Sequence, residues 1–376
     1  MTVPAAEPIL EPTSDRPVLT VSLAALAGNH WTLREAARKA ELAAVVKADA
    51  YGLGFQPVAA KLKALGCTTF FVATLDEGRA LRAAVGANPR IFVLNGLPRG
   101  AGSVFASHAL TPVLNSLEEI REWADLGRRP AAIHLDTGMS RAGLSHDELS
   151  RFAGDTALLA RLDIALIMSH LANGDEPGNA RNAVQLARFK DALARLPAAP
   201  ASLAASGGIF LGPDYHFDLV RPGIGLYGGN PLTGAPNPVR GVVTLTAEVL
   251  GLRTLAPGET AGYGGTYTAT RETRLAVCNI GYADGLLRAL SGKGVAYIGD
   301  IPCPYAGRVS MDLLTIDVSA VPADLVARGT PVEIIGQHMS IEAMATLAGT
   351  VNYEILTGLG TRFTRLAVDS HWTRVV

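Results

Sequence analysis

Lys47 is the residue whose position in this chain most directly suggests chemistry. It follows the apolar run at residues 43–46 and begins a polar turn that extends through Tyr51 to Gly52. In an apolar surrounding an ammonium group loses hydration, so its pKa falls and the free amine becomes a nucleophile that can form an imine. The alternative is a structural lysine that extends from a strand end to water. This segment alone leaves both interpretations open.

Glycine-containing segments just past the middle of the chain could bind a phosphate group. Residues 223–228 have the spacing G-x-G-x-x-G, but the Pro- and Gly-containing residues that follow do not predict the helix and strand that a dinucleotide site requires. Ser206-Gly207-Gly208 and Gly223-Ile224 instead offer a hydroxyl and unobstructed backbone N–H groups. An imine-forming lysine together with a phosphate-binding loop predicts pyridoxal 5′-phosphate as the cofactor.

The first two-thirds of the chain repeats one unit, a short apolar run followed by a turn and a segment with helical periodicity. Eight runs occur, at residues 43–47, 69–74, 91–95, 110–115, 131–136, 164–170, 201–206 and 217–221. They are continuous rather than alternating, as expected for parallel strands that are buried on both faces and joined by helices. We therefore predict an α/β fold with an N-terminal (β/α)₈ barrel of the TIM type at residues 17–240. A doubly wound open sheet is the structural alternative.

The pattern changes after residue 241. The following runs read as β-strands, with one clear helix at residues 340–348, and a segment rich in Pro, Gly and Asn at residues 228–238 precedes them. A C-terminal, mostly β domain is therefore expected at residues 241–376. Residues 1–16 are expected to form a tail that could pack on the β domain.

A barrel gives the polar residues at its strand ends a common location. The carboxyl ends of all eight strands open at the same mouth, where active sites of this fold are built. The side chains predicted to converge there are those of Lys47, Tyr51, Asp136, Arg141, His170, Ser206 and Arg221. Single polar strand ends are usually solvated, but a ring that contains a lysine, a histidine and two arginines indicates a functional site.

Composition excludes several classes of protein. The 376 residues carry 33 basic and 34 acidic side chains, so the net charge of −1 gives no electrostatic footprint for nucleic acid or an anionic membrane. No apolar stretch approaches the roughly 18 residues of a membrane span, and the N-terminus does not resemble a signal peptide. The widely spaced Cys67, Cys278 and Cys303 predict neither a disulfide framework nor a metal site. We expect a cytoplasmic protein.

The chain resembles the alanine racemase family from about residue 17 to its C-terminus. The motifs that carry the resemblance are Ala44-Val45-Val46-Lys47-Ala48-Asp49-Ala50-Tyr51-Gly52, Asp136-Thr137-Gly138-Met139-Ser140-Arg141, Ser169-His170, residues 221–228, Ala261-Gly262-Tyr263-Gly264, Gly281-Tyr282-Ala283-Asp284-Gly285, Gly307-Arg308-Val309-Ser310-Met311-Asp312 and Asn352-Tyr353-Glu354. The resemblance implies a pyridoxal-phosphate-dependent isomerase that interconverts L- and D-alanine, with a barrel followed by a β domain. It also implies a homodimer with shared active sites.

The resemblance further implies a mechanism with two bases. Lys47 would carry the cofactor as an internal aldimine and then act as the base on one face of the substrate Cα. Tyr263 would reach the partner subunit's site and act on the opposite face. An ordinary phenol is a weak base at neutral pH, so His170 and Arg221 are expected to stabilise the phenolate. Arg221 would also face the pyridine nitrogen, where it makes the ring a weaker electron sink and so favours rapid reprotonation.

The remaining site residues are also implied by the resemblance. Phosphate contacts are expected from Tyr51, Ser206, Gly223, Ile224 and Tyr353. Arg141 and Met311 are expected to contact the substrate carboxylate, the latter through its backbone and from the partner chain. Tyr282 and Asp312 are expected to narrow the access to the site and line it. No metal is expected.

The chain departs from the family's pattern at two positions. Many members have a carbamylated lysine two residues before the Asp of the Asp-Thr-Gly-Met motif, where this chain has His134. Arg141 must then pair with something other than a carbamate, either a bound anion such as chloride or a neutral His134. The usual asparagine before the phosphate-binding serine is Ala205 here. Both changes concern affinity and specificity and leave the two bases in place.

Three alternative functions follow from the same residues. The first is a racemase of broader amino-acid specificity. The second is a barrel-type amino-acid decarboxylase, which would need a catalytic cysteine, and neither Cys278 nor Cys303 lies in a matching motif. The third is a non-catalytic pyridoxal phosphate carrier, which the β domain and its Tyr263 segment disfavour.

Overall fold

The structure, a computed structural model, describes residues 15–369. Its strands are β1 (Val18–Ser22), β2 (Glu41–Leu42), β3 (Ala44–Val45), β4 (Thr69–Val72), β5 (Arg90–Val93), β6 (Thr111–Leu114), β7 (Pro130–His134), β8 (Asp163–Met168), β9 (Ala201–Ser202), β10 (Leu219–Val220), β11 (Val243–Leu255), β12 (Thr260–Ala261), β13 (Tyr267–Thr268), β14 (Thr273–Cys278), β15 (Val295–Ile298), β16 (Ile301–Pro304), β17 (Leu314–Asp317), β18 (Pro331–Ile335) and β19 (Thr364–Val368). Its α-helices are α1 (Leu23–Ala36), α2 (Lys47–Tyr51), α3 (Phe55–Ala64), α4 (Leu75–Val85), α5 (Gly102–Ser107), α6 (Leu117–Asp125), α7 (His146–Gly154), α8 (Thr156–Ala160), α9 (Ala180–Ala194), α10 (Ile341–Ala348) and α11 (Asn352–Thr357).

The chain divides into two compact units. One consists of residues 22–242 together with Asp369, and the other of residues 15–21 together with Val243–Val368. The first strand therefore belongs to the β-rich unit, whereas the division expected from the sequence counts residues from 17 onward with the barrel. The reason is long-range pairing, since β1 lies antiparallel to β11, with Val18 opposite Thr246 and Val21 opposite Val243. Residues 1–14 of the expected N-terminal tail lie outside the described residues.

Parallel strands form the centre of the first unit. A seven-stranded sheet runs in the order β3-β4-β5-β6-β7-β8-β9, and β10 pairs in parallel with β2, the segment directly before β3. Backbone bonds from Asp218 N to Ala201 O (3.0 Å) and from Arg221 N to Ala204 O (2.9 Å) join β9 to β10, so the strands close into a ring. Strand β4 is buried along its whole length, as both faces of a barrel strand should be.

Helix caps fix where the barrel loops end. The side chains of Thr74, Ser116 and Ser145 each accept a bond from a backbone N–H in the first turn of the helix that follows, which satisfies an otherwise unpaired donor. At Thr74 and Ser145 the third helical residue is a glutamate that completes a capping box. Each loop at the carboxyl end of these strands is therefore held at its far end by the next helix.

The second unit is mostly β. Its main sheet runs in the order β16-β15-β18-β11-β1-β19, and β14 pairs with both β11 and β17. The 13-residue β11 alternates buried and exposed positions over its first part, which places Leu245, Ala247 and Val249 in the core. The prediction of a (β/α)₈ barrel followed by a mostly β domain is confirmed. Within residues 15–369, none of the helices is both long enough and apolar enough to span a membrane.

Candidate active site

The turn that begins at Lys47 has an unusual backbone. Lys47 follows β3 directly and is the first residue of α2, but Ala48, Asp49, Ala50 and Tyr51 all have positive φ values, of 52°, 54°, 52° and 58°. Left-handed backbone costs a residue with a side chain roughly 1–2 kcal/mol. Strain of this kind concentrates at functional sites, where surrounding contacts hold it in place. The sequence predicts a polar turn here but not its handedness, because glycine, the usual signal, is absent from residues 48–51.

Two acidic side chains hold this left-handed turn. Asp49 Oδ1 accepts a bond from Phe55 N (2.8 Å), and Glu77 Oε1 accepts one from Ala48 N (2.8 Å). The sequence analysis missed Glu77, although its position three residues after Thr74 is a capping-box signal. No local sequence signal indicates that the Glu77 carboxylate also accepts a bond from Ala48 N, in the turn after the neighbouring strand β3.

The electrostatic surroundings favour a reactive amine at Lys47. Burial of the ammonium group lowers the pKa of Lys47, the charge of Arg141 lowers it further, and the carboxylate of Glu77 opposes them. A desolvated amine beside another cation spends more time unprotonated and is then a better nucleophile and base. The structure therefore favours the functional interpretation of Lys47 over that of a lysine extending to water.

Four of the five predicted phosphate-binding residues lie in the barrel unit. Ser206 Oγ accepts bonds from Gly223 N (2.9 Å) and Gly225 N (3.2 Å), which ties the loops after β9 and β10 to each other. The hydroxyl of Tyr51 lies against the Cα of Gly223, where an added Cβ would be 2.1 Å from Tyr51 Oη. A phenol, a hydroxyl and glycine backbone thus converge as a cradle for an anion. Ile224, the next residue in the chain, is buried.

Replacing Gly223 with alanine should block this cradle. We expect Gly223→Ala to weaken the binding of pyridoxal phosphate at least about tenfold, since overpacking a filled site costs about 1–3 kcal/mol and Tyr51 must move. Titration of the apoprotein with the cofactor, followed by absorbance, measures the affinity. Gly28→Ala is the matched control, because a Cβ at Gly28 has no neighbour within 4 Å. Equal affinities in the two variants would contradict the assignment.

Arg221 is a buried cation held by neutral groups. It is 3% exposed, and its guanidinium donates to Ser202 Oγ, to Ser169 O (2.7 Å) and to Leu203 O (3.3 Å). Burial lowers the pKa of Arg221 to about 9, which leaves it charged at neutral pH. None of these three acceptors is a carboxylate, and a buried charge without a counter-charge is costly. Such a group favours the binding of an acceptor or anion, which fits a phosphorylated pyridine cofactor.

His134 occupies a position at which the sequence departs from the family that it resembles. Its Nδ1 lies 2.7 Å from Asn115 Oδ1, and Asn115 Nδ2 donates to Val113 O (2.8 Å) and Leu94 O (3.2 Å). These two donations orient the amide so that its oxygen faces His134, which places the proton on Nδ1 and leaves Nε2 as an acceptor. Burial, and then the charges of Arg221 and Arg141, lower the pKa of His134 to about 4. A neutral imidazole therefore replaces the family's lysine.

The loop that presents Arg141 is built around Asp136. Asp136 Oδ1 accepts bonds from the N–H groups of Gly138 (2.9 Å), Met139 (2.9 Å) and Ser140 (3.1 Å), so the carboxylate organises the loop rather than facing a ligand. Arg141 itself is exposed. Its charge lowers the pKa values of Lys47, His134 and His170, which places all four groups in one electrostatic cluster.

His170 and its loop are held by a residue that the sequence analysis missed. Gln185 of α9 donates to His170 O (3.0 Å) and Thr137 Oγ1 (3.3 Å) and accepts from Ala172 N (2.8 Å). Gln185 is spaced with Phe189 and Ala192 along one face of α9, and this helical spacing is the sequence signal that could have marked it as buried. Burial of the imidazole, followed by the charges of Arg221 and Arg141, holds the pKa of His170 well below its ordinary value. His170 is therefore neutral at physiological pH.

The remaining predicted residues lie in the β-rich unit. Tyr263 begins a short 3₁₀ turn and is 70% exposed, and Met311 and Tyr282 are exposed as well. Bonds from Tyr282 N to Ser310 O (2.9 Å) and from Ala283 N to Met311 O (2.9 Å) hold two of these loops together. Large side chains that are exposed in the chain alone are typical of surfaces that meet a partner. Core packing, the ordinary role of such residues, does not account for Tyr282 and Met311.

Arg362 connects the same loops. It donates to Asp312 Oδ1 (2.7 Å) and pairs with the buried Asp284 (2.9 Å). Asp312 is therefore held by an arginine that no motif of the sequence indicated. Tyr353 lies on α11 with its side chain partly exposed. The structure thus places the predicted residues in two groups, one in each unit.

Comparison with known proteins gives one family for both units. The alanine racemase N-terminal domain family matches residues 21–231, and the alanine racemase C-terminal domain family matches residues 242–367. A catabolic alanine racemase of Agrobacterium fabrum is 49% identical over 352 residues, which cover 92% of this chain and 91% of the relative. An alanine racemase of Brucella canis is 47% identical over 369 residues, which cover 93% of each chain.

Solved structures agree with these relatives. The crystal structure of alanine racemase from Bartonella henselae with covalently bound pyridoxal phosphate superposes with a TM-score of 0.91 at 40% identity, covering 94% of this chain and 100% of that one. The biosynthetic alanine racemase of Pseudomonas aeruginosa has a TM-score of 0.88 at 32% identity, covering 95% and 100%.

Proposed function

The chain belongs to the alanine racemase family, and we propose that it interconverts L- and D-alanine with Lys47 and Tyr263 as the two bases. One observation of the barrel unit carries the assignment. A partly desolvated Lys47 shares an electrostatic cluster with Arg141 and His170, beside the cradle for an anion. That combination is what a lysine-linked, phosphate-anchored cofactor requires.

Pyridoxal phosphate, when bound, supplies the electron-withdrawing ring that makes the α C–H bond of the amino acid acidic. The chain's own residues hold it in place. Lys47 Nζ provides the covalent attachment, and the phosphate contacts come from Tyr51, Ser206, Gly223, Ile224 and Tyr353. Arg221 would donate a hydrogen bond to the pyridine nitrogen, and the groups to which it donates in this structure, Ser202 Oγ, Ser169 O and Leu203 O, are all uncharged. A guanidinium does not give up its proton, so it limits how much negative charge the ring accepts.

Proton transfer is assigned to two groups on opposite faces of the substrate Cα. The Lys47 amine removes or returns the proton on one face, and the Tyr263 phenol does so on the other. The low pKa of His170 suits this assignment, because a neutral imidazole beside the charged Arg221 can accept a hydrogen bond from a donor such as the Tyr263 hydroxyl. Arg141, together with the backbone of Met311, orients the substrate carboxylate. Tyr282 and Asp312 narrow the access to the site.

The same assignment requires a homodimer. Tyr263, Met311 and Tyr282 are exposed within a single chain, and large exposed side chains in adjoining loops support a role in the partner subunit's site. A net charge of −1 supports a small-molecule substrate rather than nucleic acid. The free, buried Cys67, Cys278 and Cys303 support a location in the reducing cytoplasm.

A racemisation assay combined with chemical labelling tests the function. The purified holoenzyme should racemise alanine from either enantiomer, faster than the other common amino acids, and borohydride should inactivate it and leave the cofactor attached to Lys47. Peptide mapping locates the label. Comparable rates on many amino acids would favour the broad-specificity alternative, and release of carbon dioxide would favour a decarboxylase. A label on another lysine would remove Lys47 from the mechanism.

A further inference from the structure

Glu77 uses both of its carboxylate oxygens to hold backbone at two strand ends. Its Oε1 accepts from Ala48 N (2.8 Å), the first amide of the left-handed turn, while its Oε2 accepts from Ala73 N (2.7 Å) and Thr74 N (3.2 Å) after β4. Three charge-assisted bonds to backbone donors make a rigid connection. The turn that carries Lys47 is thereby fixed to the neighbouring strand.

Related glutamates elsewhere in the barrel show what is special about this one. Glu119, also the third residue of its helix, accepts from Asn115 N (2.8 Å) at its own strand end and from the backbone of Leu97 after the preceding strand. Glu148 likewise accepts from Ser145 N (3.0 Å) and from the backbone of Leu117. The connection between successive loops is therefore a recurrent structural device. In α4 alone among these three helices, the carboxylate acts on the charge of Lys47.

The turn that Glu77 holds would not be stable on local grounds. Its residues 48–51 are all left-handed, and none is glycine. A chain segment keeps such a conformation only when surrounding contacts over-determine it. The bond from Ala48 N supplies that constraint at the first strained residue, immediately after Lys47.

The charges around Lys47 also single out Glu77. The groups that act on the ammonium are the cationic Arg141 and the anionic Glu77, and the neutral His170 is affected in turn by Lys47. Glu77 is thus the one carboxylate among these groups, and it favours the protonated form of the Lys47 nitrogen against burial and Arg141.

We propose that Glu77 is a positioning residue for Lys47, which holds the left-handed turn through Ala48 N and supplies a negative charge that acts on the lysine nitrogen. This inference rests on the proposed role of Lys47 as the cofactor-bearing base. It assigns Glu77 a role that extends beyond capping α4, through a contact 29 residues away in the chain. Glu77 itself need not touch the substrate.

The test compares Glu77→Gln with two matched controls in the holoenzyme. Glu119→Gln removes a carboxylate from an equivalent connection. Asp76→Asn removes an adjacent exposed charge, which pairs with Arg79 at 3.4 Å. Two readouts are followed, the rate of cofactor loss during dialysis and the pH midpoint of the visible absorption band. Glu77→Gln should lose the cofactor at least about tenfold faster and shift the midpoint to lower pH, since the protonated nitrogen has lost its counter-charge. Both controls should match the wild type.

A second substitution separates the two parts of the role. Because glycine adopts left-handed backbone without penalty, Ala48→Gly in the Glu77→Gln background should restore cofactor retention but leave the midpoint shifted. Glu77→Asp keeps the charge but shortens the side chain, so it should lose the cofactor faster while the pH midpoint stays at the wild-type value. This variant replaces Glu77→Gln if Glu77→Gln does not fold. Glu77 variants that match Glu119→Gln in both readouts would overturn the proposal. Neither readout depends on turnover, so a failure of racemisation by the wild type would be recognised separately.

Discussion

Mixing two inactive variants is expected to restore racemase activity. Lys47→Ala and Tyr263→Phe should each lose activity by about 10²–10⁴-fold or more, the usual contribution of a positioned acid or base, and Lys47→Ala loses the cofactor's attachment as well. In a hybrid dimer, the site formed by the Lys47 of one chain and the Tyr263 of the other contains both bases. Random exchange of equimolar chains should therefore return about a quarter of the wild-type sites. Alanine racemisation, measured before and after exchange, checks this.

The control repeats the exchange with a pair of chains that cannot form a complete site. Lys47→Ala mixed with a chain that carries both substitutions should stay inactive, because no pairing unites the two native bases. Mass spectrometry of differently labelled chains verifies that subunits have exchanged. If exchange is complete and activity does not return, both bases belong to one chain and the shared-site assignment fails.

His134→Lys should depend on bicarbonate, whereas the wild type should not. The native side chain is a buried neutral imidazole, fixed by Asn115 and surrounded by the charges of Arg221 and Arg141. An ammonium group there adds a like charge where burial strengthens the repulsion. We expect catalytic efficiency to fall at least about tenfold in carbonate-depleted buffer, equivalent to about 1.4 kcal/mol. Conversion of the lysine to an anionic carbamate should recover part of the loss.

Matched pH and ionic strength are essential to that comparison, and alanine kinetics with and without added bicarbonate provide the measurement. His134→Gln is the control, since a neutral amide can still bond to Asn115 but cannot form a carbamate. A bicarbonate-dependent wild-type enzyme would mean that another lysine carries the carbamate. A His134→Lys enzyme indifferent to bicarbonate would mean that the introduced amine is not modified at this position.

The fold class was accessible from the sequence because burial leaves a periodic trace. Continuous apolar runs such as residues 69–72 appear as strands buried on both faces. Three of the helices begin directly after Thr74, Ser116 and Ser145, which have the residue types that cap helices. The assignment of β1 was not accessible in this way. Its antiparallel partner β11 lies more than 200 residues away, and a local pattern says nothing about which distant strand completes a sheet.

The residues of the candidate site also fall into those that the sequence selected and those that only the structure revealed. Residue type and position at a strand end were enough to select Lys47 as a candidate, and the glycine-containing segments were enough to select candidate phosphate-binding loops. Glu77, Gln185 and Asn115 were missed, since each acts through hydrogen bonds to residues distant in sequence. Their types are ordinary for a helix or a loop, and only their neighbours in space reveal what they do.

By itself, the sequence of this protein indicated the order of its elements and selected Lys47 as a candidate reactive lysine at a strand end, because hydrophobic period and residue chemistry are local properties. The tertiary structure alone decided the left-handed turn after Lys47, the tautomer of His134 and the neutral partners of Arg221. Each of these depends on hydrogen bonds or desolvation supplied by several strands at once. Conformational strain, protonation state and buried charge are therefore set by the packed barrel rather than by neighbours along the chain.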